Sequence, residues 1–235
     1  RPRPEGRCRG RGGMRSCAAM SAAPLHTPVP TRHALALLAV YVAAWTALAV
    51  NPRYREDWAL ENVLVVLAVL LLPALWRRLP LSWPACIGLF VFGLLHAVGA
   101  HYTYAEVPYD AFFRQHLGFS VDALFGFTRN TYDRLVHFSY GLLLAPTCVQ
   151  LLERAAAPRG AWRYVLPVSF IMSHALLFEL FEWAAASVFG GDLGQAYLGT
   201  QGDEWDAQKD MLLATLGAAL SVALMGLAGW LAPRP

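Results

Sequence analysis

The sequence predicts an all-α, polytopic transmembrane bundle of about six helices. Two observations lead to this prediction: the composition and the repeated apolar runs. Of the 235 residues, 57% are hydrophobic and only 15% are charged, whereas a soluble domain carries about 25% charged residues. Several apolar runs reach about 18 residues, the length that an α-helix needs to cross the hydrocarbon core. The length of the chain suits a single bundle, which we place in residues 32–232.

Residues 1–31 form a separate tail that is rich in Arg, Pro and Gly. Seven of the nineteen basic residues lie in Arg1–Arg32. Such a composition predicts disorder, and a start at Met14 or Met20 would leave the upstream residues untranslated. Arginines beside a first span are typical of a cytoplasmic topology determinant or of contact with anionic head groups. We therefore expect no nucleic-acid partner.

Six apolar segments follow the tail. They are His33–Val50, Trp58–Trp76, Leu81–Ala100, Tyr132–Leu152, Trp162–Phe189 and Asp206–Leu231. The first ends in Ala47-Leu48-Ala49, which resembles a signal-peptidase site. Its apolar run is longer than the roughly 7–15 residues of a cleaved signal, so we predict a retained helix.

Two connecting segments are unusually long. Tyr102–Thr131 carries several charges and no apolar run of membrane length. We predict that it is a partly helical element in the membrane interface. Gly190–Asp203 contains five glycines, which is typical of a turn-rich loop.

The distribution of basic residues orients the bundle. Arginines in the tail and in the loops 77–80 and 153–163, together with Arg234, predict that both termini are cytoplasmic. The acidic loop 190–209 would then face outward. Four arginines in the other outward loops oppose this orientation: Arg53, Arg55, Arg114 and Arg129.

With this topology, four helix ends bring carboxylates and imidazoles together in the outer half of the membrane. The members are His96 and His101, Asp133 and His137, Glu179 and Glu182, and Asp206 and Asp210. Residues four apart share a helix face, so Asp133 can contact His137. Small residues at Ala214, Gly217 and Ser221 continue the face of Asp210, which predicts that this face packs inward.

These residues define a candidate site. We expect a polar, catalytic-type cluster of Asp133, His137, Glu179, Glu182 and Asp210, with His101, Asp203 and Asp206 as candidate metal ligands. Arg134 is the candidate contact for a lipid head group. The only cofactor that such residue types suggest is a divalent metal.

Purely structural interpretations compete with these assignments. Asp133 is also suited to the first turn of any helix, and Arg134 to a snorkelling anchor. His174, near the middle of its span, suits a hydrogen bond within the bundle. Glu179 is harder to explain in this way, because it lies ~15 Å inside the end of its helix. An unpaired carboxylate at such a depth costs at least ~2.5 kcal/mol.

Four blocks resemble the YjdF-type inner-membrane proteins of bacteria. They are HAVGAHYTYAEVPYD (96–110), NTYDRLVHFSYGLLLAP (130–146), FELFEWAAA (178–186) and YLGTQGDEWDAQKDMLLATLGA (197–218). The resemblance covers about residues 33–232. VanZ-like proteins are more distantly similar, at Asp133-Arg134-His137-Phe138, Glu179 and Asp210-Gly217. The resemblance implies a multi-pass protein of the bacterial inner membrane, in a family without an established activity.

Three functions are compatible with the cluster. We favour binding of an envelope lipid, a lipid-linked ligand or a partner, because no HExxH motif and no nucleophile elbow is present. An intramembrane, metal-dependent enzyme acting on a lipid-linked substrate is the first alternative, since carboxylates and His supply general acid and base groups. A proton- or ion-coupled transporter is the second. The sequence leaves the ligand and the oligomeric state open.

Overall fold

The computed structural model describes residues 27–229, and in this range the regular elements are ten helices. The all-α prediction is therefore confirmed. The helices are α1 (Thr31–Leu48), α2 (Arg55–Glu61), α3 (Val63–Arg78), α4 (Trp83–His101), α5 (Tyr109–Leu117), α6 (Val121–Phe125), α7 (Tyr132–Ala155), α8 (Trp162–Phe189), α9 (Gly191–Leu198) and α10 (Asp206–Leu227).

Five of the described helices are long and apolar enough to cross a membrane: α1, α4, α7, α8 and α10. They correspond to the first and the third to sixth predicted spans. The bounds of α8 are the predicted ones, and the others differ by a few residues because polar helix ends are less sharply defined by composition than apolar interiors. The chain is a polytopic helical bundle.

The predicted second span, Trp58–Trp76, is divided into α2 and α3 at Asn62. The side-chain amide of Asn62 donates to the carbonyl of Trp58 at 2.7 Å, and the carbonyl of Glu61 accepts from His96 Nε2 at 3.2 Å. These bonds compete with the regular helical ladder. The remaining helix, α3, has 16 residues, so it extends ~24 Å and falls short of a full span of about 30 Å.

The segment 102–131 contains two short helices, α5 and α6, as predicted for a partly helical element. The hydroxyl of Ser120 caps α6 by accepting from the N–H of Ala123 at 3.0 Å. The carboxylate of Asp110 ties the two helices together, accepting from the Ser120 hydroxyl at 2.8 Å and from the N–H of Asp122 at 3.0 Å. Both helices expose phenylalanines, Phe112 and Phe125, which suits a membrane interface.

The prediction of an irregular loop over Gly190–Asp203 was wrong, because this segment contains α9. Gly190 and Gly199 have φ of 63° and 61° and stand at the two ends of α9, where such angles favour glycine. Gly194 lies within α9 and faces α8, since a Cβ there would be 2.8 Å from the carbonyl oxygen of Ala186. The glycines therefore mark helix ends and one close packing position.

The described part of the predicted tail packs at the start of α4. The N–H of Val29 donates to the carbonyl of Leu81 at 2.8 Å, Pro28 pairs with Ser82, and the side chain of Val29 is buried. The predictions for residues 1–26 lie outside the described residues.

The centre of the bundle is the contact between α7 and α10, with α4 and α8 packed beside it. A Cβ on Gly141 would lie 1.9 Å from the carbonyl oxygen of Ala214, and one on Gly217 would lie 2.1 Å from that of Phe138. The two backbones are thus in direct contact. The buried positions Ala214, Gly217 and Ser221 confirm the predicted inward face of small residues.

Candidate functional site

Four helix ends meet at one end of the bundle, as the topology predicted. There α4 and α8 end, and α7 and α10 begin; we call this the acidic end. The close packing of α7 on α10 and of α8 on α10 brings carboxylates from three helices together, although they are far apart in sequence.

The outermost charges form ion pairs, in what we call the outer ion-pair group: Asp133, Asp203, Asp206, Arg129, Arg134 and Lys209. Arg129 bridges two helices, because Nη1 lies 3.0 Å from Asp133 Oδ2 and Nη2 donates to Asp206 Oδ1. Arg134 Nη2 donates to Asp203 and lies 3.5 Å from Asp206 Oδ1. Three acids thus face three bases.

Asp203, in the loop before α10, has its pKa lowered to about 2 by its partners. The largest contribution is the hydrogen bond from Lys209 Nζ at 2.6 Å; the N–H of Trp205 and the guanidinium of Arg134 add to it. The pKa in the folded state therefore lies below the ordinary aspartate value of 3.8. The resulting stabilisation is present above about pH 4 and is lost as the pH falls through about 2.

We expect Asp203→Asn to lower the melting temperature of the detergent-purified protein at pH 5 more than at pH 2. The reason is that wild-type Asp203 is ionised at pH 5 and about half protonated at pH 2, where its ion pairs are weakened. Melting curves between pH 5 and 2 measure this, with Glu204→Gln at an exposed neighbouring position as the control. A difference from wild type that is equal at pH 5 and pH 2 would refute the assignment.

Deeper in the bundle lies a second set, the inner triad of His137, Glu179 and Asp210. One ligand atom from each lies within 4.8 Å of the other two, and His137 Nε2 is 3.7 Å from Glu179 Oε1. Glu179 Oε1 and Asp210 Oδ1 are buried and have no hydrogen-bond partner among the described residues. A second triplet, Asp133, Asp206 and Asp210, shares Asp210 with the triad.

Glu182 connects the inner triad to a third polar set, which consists of Glu61, His96, Tyr104 and Tyr197. It shares a hydrogen bond with Glu179 and interacts electrostatically with Asp210 and Glu61. Glu61 belongs to α2, and His96 of α4 donates its Nε2–H to the Glu61 carbonyl. The other ring nitrogen of His96, Nδ1, lies 2.5 Å from the hydroxyl of Tyr104. Both ring nitrogens of this imidazole therefore have hydrogen-bond partners within the protein.

Sequence reasoning missed the tyrosines of this third set. Tyr104 lies in the segment 102–131, and Tyr197 lies in α9, which was expected to be a loop. Both line the cavity described below. The one signal for them was that each falls within a block that carried the family resemblance.

A cavity of about 1090 Å³ begins at the acidic end and extends down the bundle. Its polar lining is concentrated at that end: Glu61, His96, Thr103, Tyr104, Asp133, His137, Glu182, Tyr197, Asp206 and Asp210. The rest of the lining consists mostly of Leu, Val, Ala and Phe from α1, α3, α4, α7 and α8. Along α4 the lining runs from Cys86 to His96, a length of ~15 Å.

The cavity exists because α3 is held to the other helices mainly near its two ends. At one end, Trp76 Nε1 donates to Thr31 Oγ1 at 3.3 Å. At the other, α2 contacts α4 and α9, and the hydroxyl of Thr103 donates to the buried carboxylate of Asp57. Between these points, Val65 and Ala68 of α3 face the open space.

The candidate ligands expected from sequence are not all brought together. His101 lies apart from both triplets, because its Nδ1–H donates to the carbonyl of Leu48 at 2.7 Å. Asp203 is held in ion pairs, and Asp206 is the one of the three metal candidates that joins a triplet. His174 is exposed and donates to the carbonyl of Phe170 in its own helix at 2.9 Å.

Arg134 remains a candidate for a head-group contact. Its Nη2 is engaged by the outer ion-pair group, whereas its Nε is buried without a hydrogen-bond partner among the described residues. It lines a second cavity of about 620 Å³, together with Lys209 and several aromatic residues of the segment 102–131 and α7.

Comparison with known proteins gives two matches. The family described as "Predicted membrane protein (DUF2238)" matches residues 33–229. The inner membrane protein YjdF of Escherichia coli (strain K12) is 34% identical over 191 residues, which are 81% of this chain and 86% of that protein. No solved structure matches. The matched range includes all ten helices apart from the first two residues of α1.

Proposed function

We propose that this chain, which belongs to the DUF2238 family of predicted membrane proteins, binds an amphipathic membrane ligand in its intramembrane cavity. The ligand is a lipid or a lipid-linked molecule. One observation carries the proposal: a long cavity with an apolar body has its polar groups gathered at a single end.

The dimensions of the cavity support this proposal. Its volume of about 1090 Å³ is just above the ~300–1,000 Å³ typical of small-molecule pockets. Its extent of ~15 Å along α4 suits an extended hydrocarbon chain. Because the polar residues line one end, the ligand would bind with its head group beside the inner triad and its chain between α3 and α4.

Transport of protons or ions is less well supported. Among the described lining residues below the acidic end, the polar groups of Thr31, Tyr41, Tyr140 and His174 are interspersed among apolar side chains. A relay needs polar groups through the full thickness of the bilayer. An enzymatic role on the same ligand is the second candidate, because the triad offers an imidazole and two carboxylates with unpaired oxygens at the polar end.

We also propose that the protein lies in a bacterial inner membrane with both termini in the cytoplasm. A relative carries the name of an inner membrane protein, and the distribution of arginines supports the orientation. The acidic end would then face outward, and the head group would belong to the outer leaflet. Arg134 and Lys209, at the second cavity, would contact a further lipid phosphate.

Blocking the cavity provides the test. We expect Val65→Trp to reduce the lipid that co-purifies with the detergent-extracted protein at least severalfold, because Val65 lines the cavity on α3 and an indole would fill that space. Native mass spectrometry and phosphate analysis of extracted lipid measure the effect.

The matched control is Val63→Trp, the same substitution on a residue of α3 that is 52% exposed and does not line the cavity. It should retain the wild-type amount of bound lipid. Equal amounts in both variants would contradict a specific site in the cavity.

A further inference from the structure

We propose that the inner triad of His137, Glu179 and Asp210 binds one divalent transition-metal ion, of the zinc or manganese type. The inference does not depend on the ligand of the cavity, because it follows from the charges and the geometry of the triad itself.

The first argument is the balance of charge. In the outer ion-pair group, Arg129, Arg134 and Lys209 lie against three carboxylates. Among the described residues, no Lys or Arg forms an ion pair with Glu179 or Asp210; Arg134 acts on Asp210 only at longer range, and His137 Nε2 lies 3.7 Å from Glu179 Oε1. Buried carboxylates need a cation or a proton. A divalent ion is the smallest species that would satisfy both at once.

The second argument is the pair of unpartnered oxygens. Asp210 is 3% exposed and the side chain of Glu179 is 9% exposed. Each has an oxygen that is fully shielded and makes no hydrogen bond within the described part of the chain. His137, Glu179 and Asp210 each place one ligand atom within 4.8 Å of a ligand atom of the other two. Buried polar atoms are rarely left without a partner, so the convergence indicates an occupant at their centre.

The third argument is the distance between ligand atoms. Metal–ligand bonds of ~2.1 Å place neighbouring ligand atoms of a tetrahedral ion roughly 3.4 Å apart. The distance of 3.7 Å between His137 Nε2 and Glu179 Oε1 is close to this, so a shift of a few tenths of an ångström would complete the pair. The three ligands come from α7, α8 and α10, and the close packing of these helices fixes the ligands relative to one another.

The donor set selects the class of metal. Carboxylates alone suit magnesium, calcium or manganese, whereas an imidazole suits zinc, iron and other transition metals. A set of two carboxylates and one imidazole therefore suits zinc or manganese. Three protein ligands leave at least one coordination position open. His137 and Asp210 line the cavity, so the open position would face it.

The second triplet is not the proposed site. Its members Asp133 and Asp206 are both bound to the guanidinium of Arg129, which already neutralises them and occupies their oxygens. Variants of these two aspartates therefore serve as controls. Like the triad variants they remove a buried carboxylate, but one that Arg129 already neutralises.

Metal analysis of the full-length protein, purified in detergent and in chelator-treated buffer, tests the proposal. We expect elemental mass spectrometry to find about one zinc or manganese ion per chain. After removal of the metal with a chelator, we expect saturable binding of Mn²⁺, followed by electron paramagnetic resonance, and a rise in melting temperature on adding Zn²⁺ or Mn²⁺. Glu179→Gln and His137→Ala should weaken Mn²⁺ binding more than tenfold.

Asp203→Asn and Asp133→Asn are the controls, and both should retain the ion. Only variants that elute as a single peak in size-exclusion chromatography, as the wild-type protein does, are compared. The titration of the wild-type protein tests the proposal even if a variant does not fold. The proposal is overturned if wild-type protein neither contains nor binds the metal. It is also overturned if Glu179→Gln binds Mn²⁺ as wild type does, or if Asp133→Asn alone abolishes binding. Co-purification of an amine-bearing lipid without any metal would assign the triad to an ammonium group instead.

Discussion

Arg129→Met is expected to reduce the free energy of unfolding by about 3–5 kcal/mol, the typical effect of removing one partner from a buried ion pair. The side chain of Arg129 is 13% exposed, and it holds Asp133 of α7 and Asp206 of α10 together. Without it, two carboxylates would lie close to each other at the central helix contact. The expected readout is a melting temperature in detergent that falls well below that of wild type.

Two variants separate the lost ion pair from lost packing. The triple variant Arg129→Met with Asp133→Asn and Asp206→Asn should recover most of the stability, since it removes the charges that Arg129 neutralises. Arg53→Met, whose ion pair with Glu106 has side chains that are 58% and 39% exposed, should leave the melting temperature close to that of wild type, because exposed ion pairs contribute little. Equal losses from Arg129→Met and Arg53→Met would show that the buried network is not important for stability.

Arg129 also shows what sequence patterns cannot provide. Its position in the sequence predicted an outward-facing loop arginine that opposed the expected topology. In the structure it pairs with Asp206, 77 residues away. Charge-to-charge contacts across the bundle depend on helix rotation and register, which hydropathy does not report. The same applies to His101: composition placed it correctly at the end of α4, but its side chain faces the end of α1.

The spans were predictable because bilayer thickness determines the length of an apolar helix. The convergence of Asp133, His137, Glu179 and Asp210 was predictable for a related reason: an alternating topology brings alternate helix ends to the same side. The break at Asn62 was not, since it depends on the hydrogen bond between His96 and the Glu61 carbonyl. That break shortens α3, which is held to the other helices mainly near its two ends. The cavity lies beside its middle, and no sequence pattern indicated it.

Gly217→Ala should be among the most damaging single-methyl additions in the described bundle core, together with the equivalent changes at Gly141 and Gly88. The new Cβ would lie 2.1 Å from the backbone carbonyl oxygen of Phe138, so α7 and α10 would have to separate. Overpacking of this kind costs about 1–3 kcal/mol, occasionally more. Because His137 lies on α7 and Asp210 on α10, separation would also widen the inner triad.

The matched control is Gly226→Ala, on the same helix. There the Cβ would meet the ring of Tyr164 at 2.8 Å, and a side chain can rotate away, whereas a backbone carbonyl in a packed helix cannot. In addition, alanine is favoured over glycine in a helix by about 1 kcal/mol. We therefore expect Gly226→Ala to melt at or near the wild-type temperature and Gly217→Ala to melt several degrees lower. If both variants had the same melting temperature, the close backbone contact of α7 with α10 would not determine the stability of the bundle.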